Sequence, residues 1–450
     1  MMIESLRRPT ATREIAMTQF PPTRTHVADV SLHAIARRFG TPTYLYDQAT
    51  IERKIDDLRT FDAVRFAQKA CSNIAILDLM RRRGVLVDAV SAGEIHRALS
   101  AGYLPHAEKG RPHPIVYTAD IFDRESLAAV LRHDLHVNCG SPDMIEQYGA
   151  VKPGADITLR INPGFGHGHS QKTNTGGEQS KHGIWHEQLD DCLRLADRHG
   201  LSVTGLHLHI GSGTDLEHLS QVCGAMEKLA ATVGRTLSTI SAGGGLPTIY
   251  KAGDTYVDIP QYFALWDASR KRLERTLGRS LTLELEPGRY LVAESGSLLA
   301  EIRAVKRMGK NTFYLLDAGF NNLARPILYG SHHPMSIVPG TVDDVAGRGL
   351  APPSDRRPMH DVVVGGPLCE SGDIFTQAEG GFVCTRNLPV AQVGELLLLE
   401  CAGAYGFAMS SNYNSKPLAA EVLLRNGEAH LIRARQTSDD LIRGETIPPA

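Results

Sequence analysis

The chain has 450 residues, 42% of them hydrophobic and 22% charged, with a formal net charge of -2. Such a length exceeds what one hydrophobic core normally serves, so two domains are expected. The near-neutral balance excludes a general electrostatic attraction to nucleic acid or anionic lipid and leaves a small molecule as the expected ligand. The opening segment MMIESLRRPTATREIAMTQFPPTRT, residues 1–25, has no apolar run of the kind a secretory signal needs and reads as a mobile tail. A transit peptide is the alternative, weakened by Glu4 and Glu14. No stretch approaches the roughly 18 uninterrupted apolar residues of a membrane span. The seven cysteines are scattered without paired spacing, which points to reduced thiols in a soluble, cytoplasmic protein.

Residues 26–45 read as a segment that joins a later β-domain, and residues 46–293 carry a repeating phrase: a short apolar β-branched run, a turn, then a helical stretch. Eight runs recur, at 64–67, 85–90, 115–118, 135–138, 157–161, 203–210, 239–242 and 281–286. Between them lie segments such as IAILDLMRRRG, apolar at helical spacing, and SAGEIHRALSAG, which opens on a serine cap and closes on glycine. Eight β-then-α units predict an α/β fold, a (β/α)8 TIM barrel whose chemistry sits just after each strand. From residue 294 to 450 the pattern becomes short alternating strands, in FYLLDAG, HDVVVGG, ELLLLECAGA and AEVLLRNGEAHLIRARQ. This predicts an all-β C-terminal domain, a sandwich or small barrel, with residues 340–360 as a surface loop.

Four strand ends carry residues able to do chemistry. FAQKACSN ends the first run and sets Lys69 at the barrel mouth, where partial desolvation lowers an amine's pKa and readies it for Schiff-base formation; a solvent-reaching structural lysine is the plain alternative. HIGSG at 209–213 and SAGGGLP at 241–247 each feed a predicted helix, so their backbone N–H groups can approach a phosphate, although tight-turn chemistry alone also explains them. LELEPGRY sets Glu286 and Arg289 at the mouth, and a buried carboxylate needs a partner, of which a pyridine nitrogen is one.

In this order FAQKACSN, RINPGFGHGHSQKTNTGGEQSKHGI, HIGSG, SAGGGLP, EPGR, DAGFNNLARPILYG, GGPLCESGD and GAYG resemble the fold type III pyridoxal-phosphate decarboxylases, and most closely the bacterial diaminopimelate decarboxylases. The resemblance runs from about residue 25 to 440. It implies decarboxylation of meso-2,6-diaminopimelate to L-lysine and carbon dioxide, the last step of lysine biosynthesis, with pyridoxal 5'-phosphate on Lys69. It implies further that His209 stacks on the cofactor ring, that Ser212, Gly245 and the backbone of Glu286, Pro287, Gly288 and Arg289 hold the phosphate, and that Glu286 pairs with the pyridine nitrogen. Arg289, Arg325 and Tyr329 would bind the distal end of the substrate, and Tyr405 would contact the phosphate and lie near the substrate. Cys369, the acid that reprotonates Cα, and Glu370, an acceptor for the distal amino group, would reach in from the second subunit of a homodimer. On their own, Arg325 before Pro326 reads as a surface turn residue and Cys369 as a small buried hydrophobe.

A cationic distal pocket suits a dicarboxylate, because an arginine holds a carboxylate in a bidentate fork and is left unpaired by a simple basic amino acid. A relative redirected to D-lysine or D-ornithine remains open on the motifs, as does a pyridoxal-phosphate-binding protein without activity. Racemases of related architecture set an arginine at the pyridine nitrogen and lack CESGD, so Glu286 speaks against them. His167, His169, His332 and His333 have no defensible ligand spacing, and no metal is expected.

Overall fold

The computed structural model describes residues 20–108, 110–166, 176–209, 216–340 and 357–449. Two compact units divide the chain: one gathers Met1–Ile51, Thr248–Tyr256 and Val292–Ala450, the other Glu52–Pro247 and Val257–Leu291. The nine residues from Thr248, within the barrel region by sequence pattern, therefore belong with the β-rich unit.

In the second unit eight parallel strands close into a barrel: β1 Ala63–Ala67, β2 Leu86–Ala89, β3 Ile115–Ala119, β4 His136–Cys139, β5 Asp156–Asn162, β6 Ser202–Leu208, β7 Thr239–Ser241 and β8 Thr282–Leu285. Each pairs with its neighbour, and β8 returns to pair with β1. All eight coincide with the apolar runs read from sequence. The helices form where the pattern predicts them. Asn73 accepts from the Ala75 N–H to open Ile74–Arg82, and Ser91 accepts from the Glu94 N–H to open Ala92–Ser100. Both helices bury an apolar stripe, Ile76, Leu77, Leu79 and Met80 in the first, Ile95 and Ala98 in the second.

Strand periodicity of two sorts the barrel residues. On β8, Leu283 and Leu285 are fully buried in the apolar core, while Glu284 alternates with them and lines a polar cavity of about 290 Å³ together with Glu286 just beyond the strand. The cavity extends from His113 and Asp156, at the amino-terminal ends of the strands, past Arg65, His136 and Asn138 to Ser241 and Glu286 at the carboxyl ends. Arg65, 1% exposed, donates through Nη2 to Glu284 Oε1 at 3.0 Å and through Nη1 to the His113 carbonyl at 2.7 Å. A guanidinium this far from water is tolerable only because both kinds of partner are fixed.

The first unit is mainly sheet. The long strand Gly296–Met308 pairs antiparallel with Thr43–Asp47, with Leu396–Leu399 and, through its second half, with Asn311–Leu316. Met359–Gly365 and Arg386–Pro389 extend the sheet on one side, Ala420–Arg425 and Glu428–Arg433 on the other. The N-terminal strand Thr43–Asp47 thus sits between Gly296–Met308 and Ala420–Arg425. A core of Leu45, Leu299, Leu396, Leu398, Val422 and Leu424 is covered by helix Leu32–Phe39, whose buried face is Leu32 and Ile35. Residues 341–356 of the predicted surface loop lie outside the described residues.

Arg65→Met should leave Glu284 buried without its cation and lower stability by about 3–5 kcal/mol in denaturant unfolding. Adding Glu284→Leu should recover most of that loss. An unchanged stability of the single variant would mean that the pair is solvated rather than desolvated.

Candidate active site

Lys69 follows β1 within the short 3-10 turn Gln68–Ala70, its side chain exposed while Gln68 and Ala70 are buried. The ammonium acts electrostatically on Asp88 and Glu94 and on the His209 ring, so the amine faces a cluster drawn from several strand ends. Asp88 lies on β2 and is 5% exposed. Burial first, then repulsion from Glu286, push its pKa up from 3.8 to about 6. Glu94, in the first turn of helix Ala92–Ser100, accepts from the Val90 N–H at 2.9 Å and is raised by burial to about 7.

Glu286 is the counterweight. Burial alone would protonate a carboxylate 7% exposed, yet the field of His207 and the hydrogen bond from Ser241 hold Glu286 well below the ordinary carboxylate range. Ser241 Oγ donates to Oε1 at 2.7 Å. His207 Nε2 stands 3.0 Å from Oε2 outside good hydrogen-bond alignment, so that contact is chiefly electrostatic. Arg65 adds a longer-range contribution of the same sign. The result is a buried anion one residue beyond β8.

The glycine run after β7 packs tightly against the backbone of Glu286 and Leu208. A Cβ on Gly244 would stand 2.6 Å from the Glu286 carbonyl oxygen, and one on Gly243 would stand 2.3 Å from the Leu208 carbonyl. Gly243 and Gly245 have φ of 64° and 100°, a region that favours glycine. The Gly244 N–H donates to His209 Nδ1 at 3.2 Å, which leaves Nε2 as the ring's only proton site in the neutral form. Burial, then Arg160 and Lys69, keep His209 well below its ordinary pKa, so the ring is neutral. Pro287 and Gly288 are buried, Gly288 against the Ala67 carbonyl, and Arg289 is half-buried at the start of Arg289–Val292. Ser212 of the HIGSG motif lies outside the described residues, as do His167 and His169.

In the other unit Arg325 opens the short helix Arg325–Tyr329 and is 4% exposed; the surface-turn reading of this residue fails because the side chain turns inward. Its Cζ lies 4.8 Å from the Tyr250 ring centroid. Tyr329 and Tyr405 are half-buried, Tyr405 with a φ of 58°. The GGPLCESGD loop is organised by Asp373, which accepts from the Phe320 N–H at 2.7 Å and the Leu368 N–H at 2.8 Å. Cys369 and Glu370 stand exposed on that loop, and the Cys369 N–H donates to Asn414 Oδ1 at 2.7 Å. The reading of Cys369 as a buried hydrophobe is thereby corrected: the loop turns it outward. His332 and His333 meet backbone carbonyls, of Tyr250 and Glu400, rather than each other.

Sequence reading passed over Asp88, Glu94, Arg160, His207 and Ser241. Three of them, Asp88, Arg160 and His207, are polar residues inside runs otherwise read as apolar strands, and that break in pattern was the available signal.

A family model described as pyridoxal-dependent decarboxylase, pyridoxal binding domain, matches residues 48–293. A diaminopimelate decarboxylase of Escherichia coli strain K12 is 52% identical over 425 residues, covering 94% of this chain and 98% of that protein. One of Streptomyces coelicolor is 54% identical over 417 residues, covering 93% and 92%. A crystal structure of diaminopimelate decarboxylase superposes with a TM-score of 0.86 at 52% identity, covering 92% of this chain and 95% of the other.

Asp88 holds its proton more tightly folded than unfolded, so that proton favours folding up to about pH 6. Above pH 6 the ionised, buried Asp88 costs on the order of 2–3 kcal/mol. Asp88→Asn should therefore stabilise the cofactor-free protein at pH 7.5 and lose that advantage below pH 4, as read by urea unfolding at each pH. A constant difference across the range would remove Asp88 from the pH response.

Proposed function

The chain belongs to the pyridoxal-dependent decarboxylase family, and from that premise we infer that it converts meso-diaminopimelate to L-lysine and carbon dioxide. The observation that carries the reading is the buried anionic Glu286 at the end of β8, in the same barrel mouth as the amine of Lys69. Relatives more than half identical over nearly their whole length are diaminopimelate decarboxylases, and that likeness favours this substrate over D-lysine or D-ornithine. No helix among the described residues is long and apolar enough to cross a membrane, and we place the enzyme in the cytoplasm.

The residues fit pyridoxal phosphate. An amine stands at the strand end, the run Gly243–Gly245 carries no side chain although its first two N–H groups are taken by Ser241 and His209, and a carboxylate waits desolvated where a heterocyclic cation would neutralise it. When bound, this cofactor supplies an electron sink for the negative charge left at Cα as carbon dioxide departs. We assign Lys69 as its covalent anchor. His209, neutral and oriented by the Gly244 N–H, offers a flat face for stacking, and Ser212, Gly245 and the turn Glu286-Pro287-Gly288-Arg289 hold the phosphate end. Glu286 holds a proton on the pyridine nitrogen by remaining an anion itself. An arginine at that place could not do so.

At the substrate's distal end Arg289, Arg325 and Tyr329 are assigned to the carboxylate and Glu370 to the amino group. Tyr405 serves the phosphate and the substrate. Cys369 is assigned as the acid that returns a proton to Cα, acting from the second subunit of a homodimer; its exposure on a loop pinned by Asp373 and Asn414 supports a role across an interface. Discrimination at the distal end follows from desolvation: a substrate without the carboxylate leaves a buried guanidinium unpaired, at a cost of about 3 kcal/mol.

The test is release of carbon dioxide and L-lysine from meso-diaminopimelate by the cofactor-loaded protein, run beside D-lysine, D-ornithine, L-ornithine and L-arginine. Diaminopimelate should be preferred by at least about a hundredfold in kcat/KM; preference for a basic amino acid would overturn the substrate. Lys69→Ala and Cys369→Ala should each be inactive or nearly so. Mixed and allowed to exchange subunits, they should recover about a quarter of the native activity, because half the dimers are hybrids with one whole site. No recovery after demonstrated exchange would contradict the shared site.

A further inference from the structure

Arg325 is the guanidinium assigned above to the distal carboxylate, and the present inference rests on that assignment. At 4% exposure a cation needs fixed neighbours. Those it has are an aromatic face, Tyr250, and one imidazole: Arg325 Nη1 lies 3.1 Å from His333 Nε2. No carboxylate is paired with it among the described residues. His333 is fully buried and its other nitrogen, Nδ1, lies 3.0 Å from the Glu400 carbonyl oxygen.

These two contacts fix the state of the ring. A guanidinium only donates, so His333 Nε2 must accept and carries no proton; a carbonyl only accepts, so Nδ1 carries the proton and donates it. The imidazole is thus a neutral, oriented link between the Glu400 backbone and Arg325. Glu400 is itself fixed, 2% exposed, with its carboxylate taking Arg24 at 3.0 Å, Ser297 at 3.1 Å and Ser336 at 3.0 Å. One Arg325 nitrogen is committed to this anchor, and Tyr250 restrains the plane, which leaves the remaining N–H groups to a ligand.

We propose that His333 is a positioning residue that aims Arg325 and thereby sets the enzyme's preference for a substrate with a distal carboxylate. The role differs from mere packing, because the two ring nitrogens do separate jobs and can be replaced separately. Glutamine reaches as far as Nε2 and keeps an acceptor for Arg325. Asparagine reaches only as far as Nδ1 and keeps the donor to Glu400, so it preserves the fold-side contact and loses the Arg325 contact.

The experiment compares His333→Asn and His333→Gln with the native holoenzyme by kcat and KM for meso-diaminopimelate, thermal midpoint, and inhibition by L-lysine and by 1,5-diaminopentane. L-lysine retains the distal carboxylate and the diamine lacks it. His333→Asn should raise KM and the L-lysine inhibition constant about tenfold, with kcat within about twofold and diamine inhibition unchanged. His333→Gln should stay within about threefold of native in kcat, KM and both inhibition constants. Equal behaviour of the two variants, or a joint fall of kcat and thermal midpoint without a change in KM, overturns the inference. Should His333→Asn not fold, His333→Gln still decides, since a tenfold rise in its KM contradicts retention of the Arg325 contact. Native enzyme without preference for diaminopimelate overturns the substrate reading and this inference with it; a native preference that survives His333→Asn undiminished overturns this inference alone.

Discussion

Glu286 keeps its charge out of water because Ser241 and His207 stand beside it, and much of the barrel's polar interior is arranged around that fact. A carboxylate in this position would ordinarily take up a proton. Here the burial penalty is met by the hydroxyl of Ser241 at the end of β7, the ring of His207 on β6 and the more distant Arg65 on β1. Arg65 in turn needs Glu284, two residues before Glu286 on the same face of β8, so one buried charge requires the next. Asp88 registers the same field from β2, two strands away around the barrel. Burial first, and then the negative charge of Glu286, raise its proton affinity, so the barrel mouth keeps one carboxylate ionised while another titrates near pH 6.

A site that already contains a fixed anion, an exposed amine and a bare glycine turn has little freedom in what it binds. The anion selects a ligand with a cationic or protonated ring nitrogen, the amine a carbonyl, and the turn an anionic group. In the β-rich unit the logic repeats with the sign reversed. Arg325 is a buried cation braced by the Tyr250 face and by His333, and the carboxylate it lacks is left for the substrate to bring. At Arg325 a simple rule holds: a desolvated charge held by a neutral acceptor and an aromatic face binds its opposite selectively, because no internal ion pair must be broken first.

The barrel was legible because its strands, buried on both faces, read as apolar runs and its helices carry serine and asparagine caps at the expected places. Lys69, Glu286 and the glycine clusters were legible for a different reason: each is a chemically marked residue just after such a run. The residues that tune them were not. Ser241 and His207 are ordinary strand residues until the barrel closes and brings β6, β7 and β8 side by side. The outward turn of Cys369 depends on Asp373, four residues on, and on Asn414, 45 residues away, which no local pattern connects. Arg325 before proline looks like a turn residue, and only the inward course of helix Arg325–Tyr329 buries it. The insertion of Thr43–Asp47 between strands from far along the chain is likewise a long-range pairing.

That Glu286 stays ionised although buried is open to direct observation. Carbon-13 labelling of glutamate carboxyl groups, with Glu286→Gln to assign the resonance, allows this one group to be titrated in the folded protein. A Glu286 ionised throughout gives a carboxylate shift that does not move between pH 5 and pH 9. A resonance that titrates within that window would mean the Ser241 and His207 contacts do not outweigh burial, and the electrostatic basis of the site would have to be abandoned.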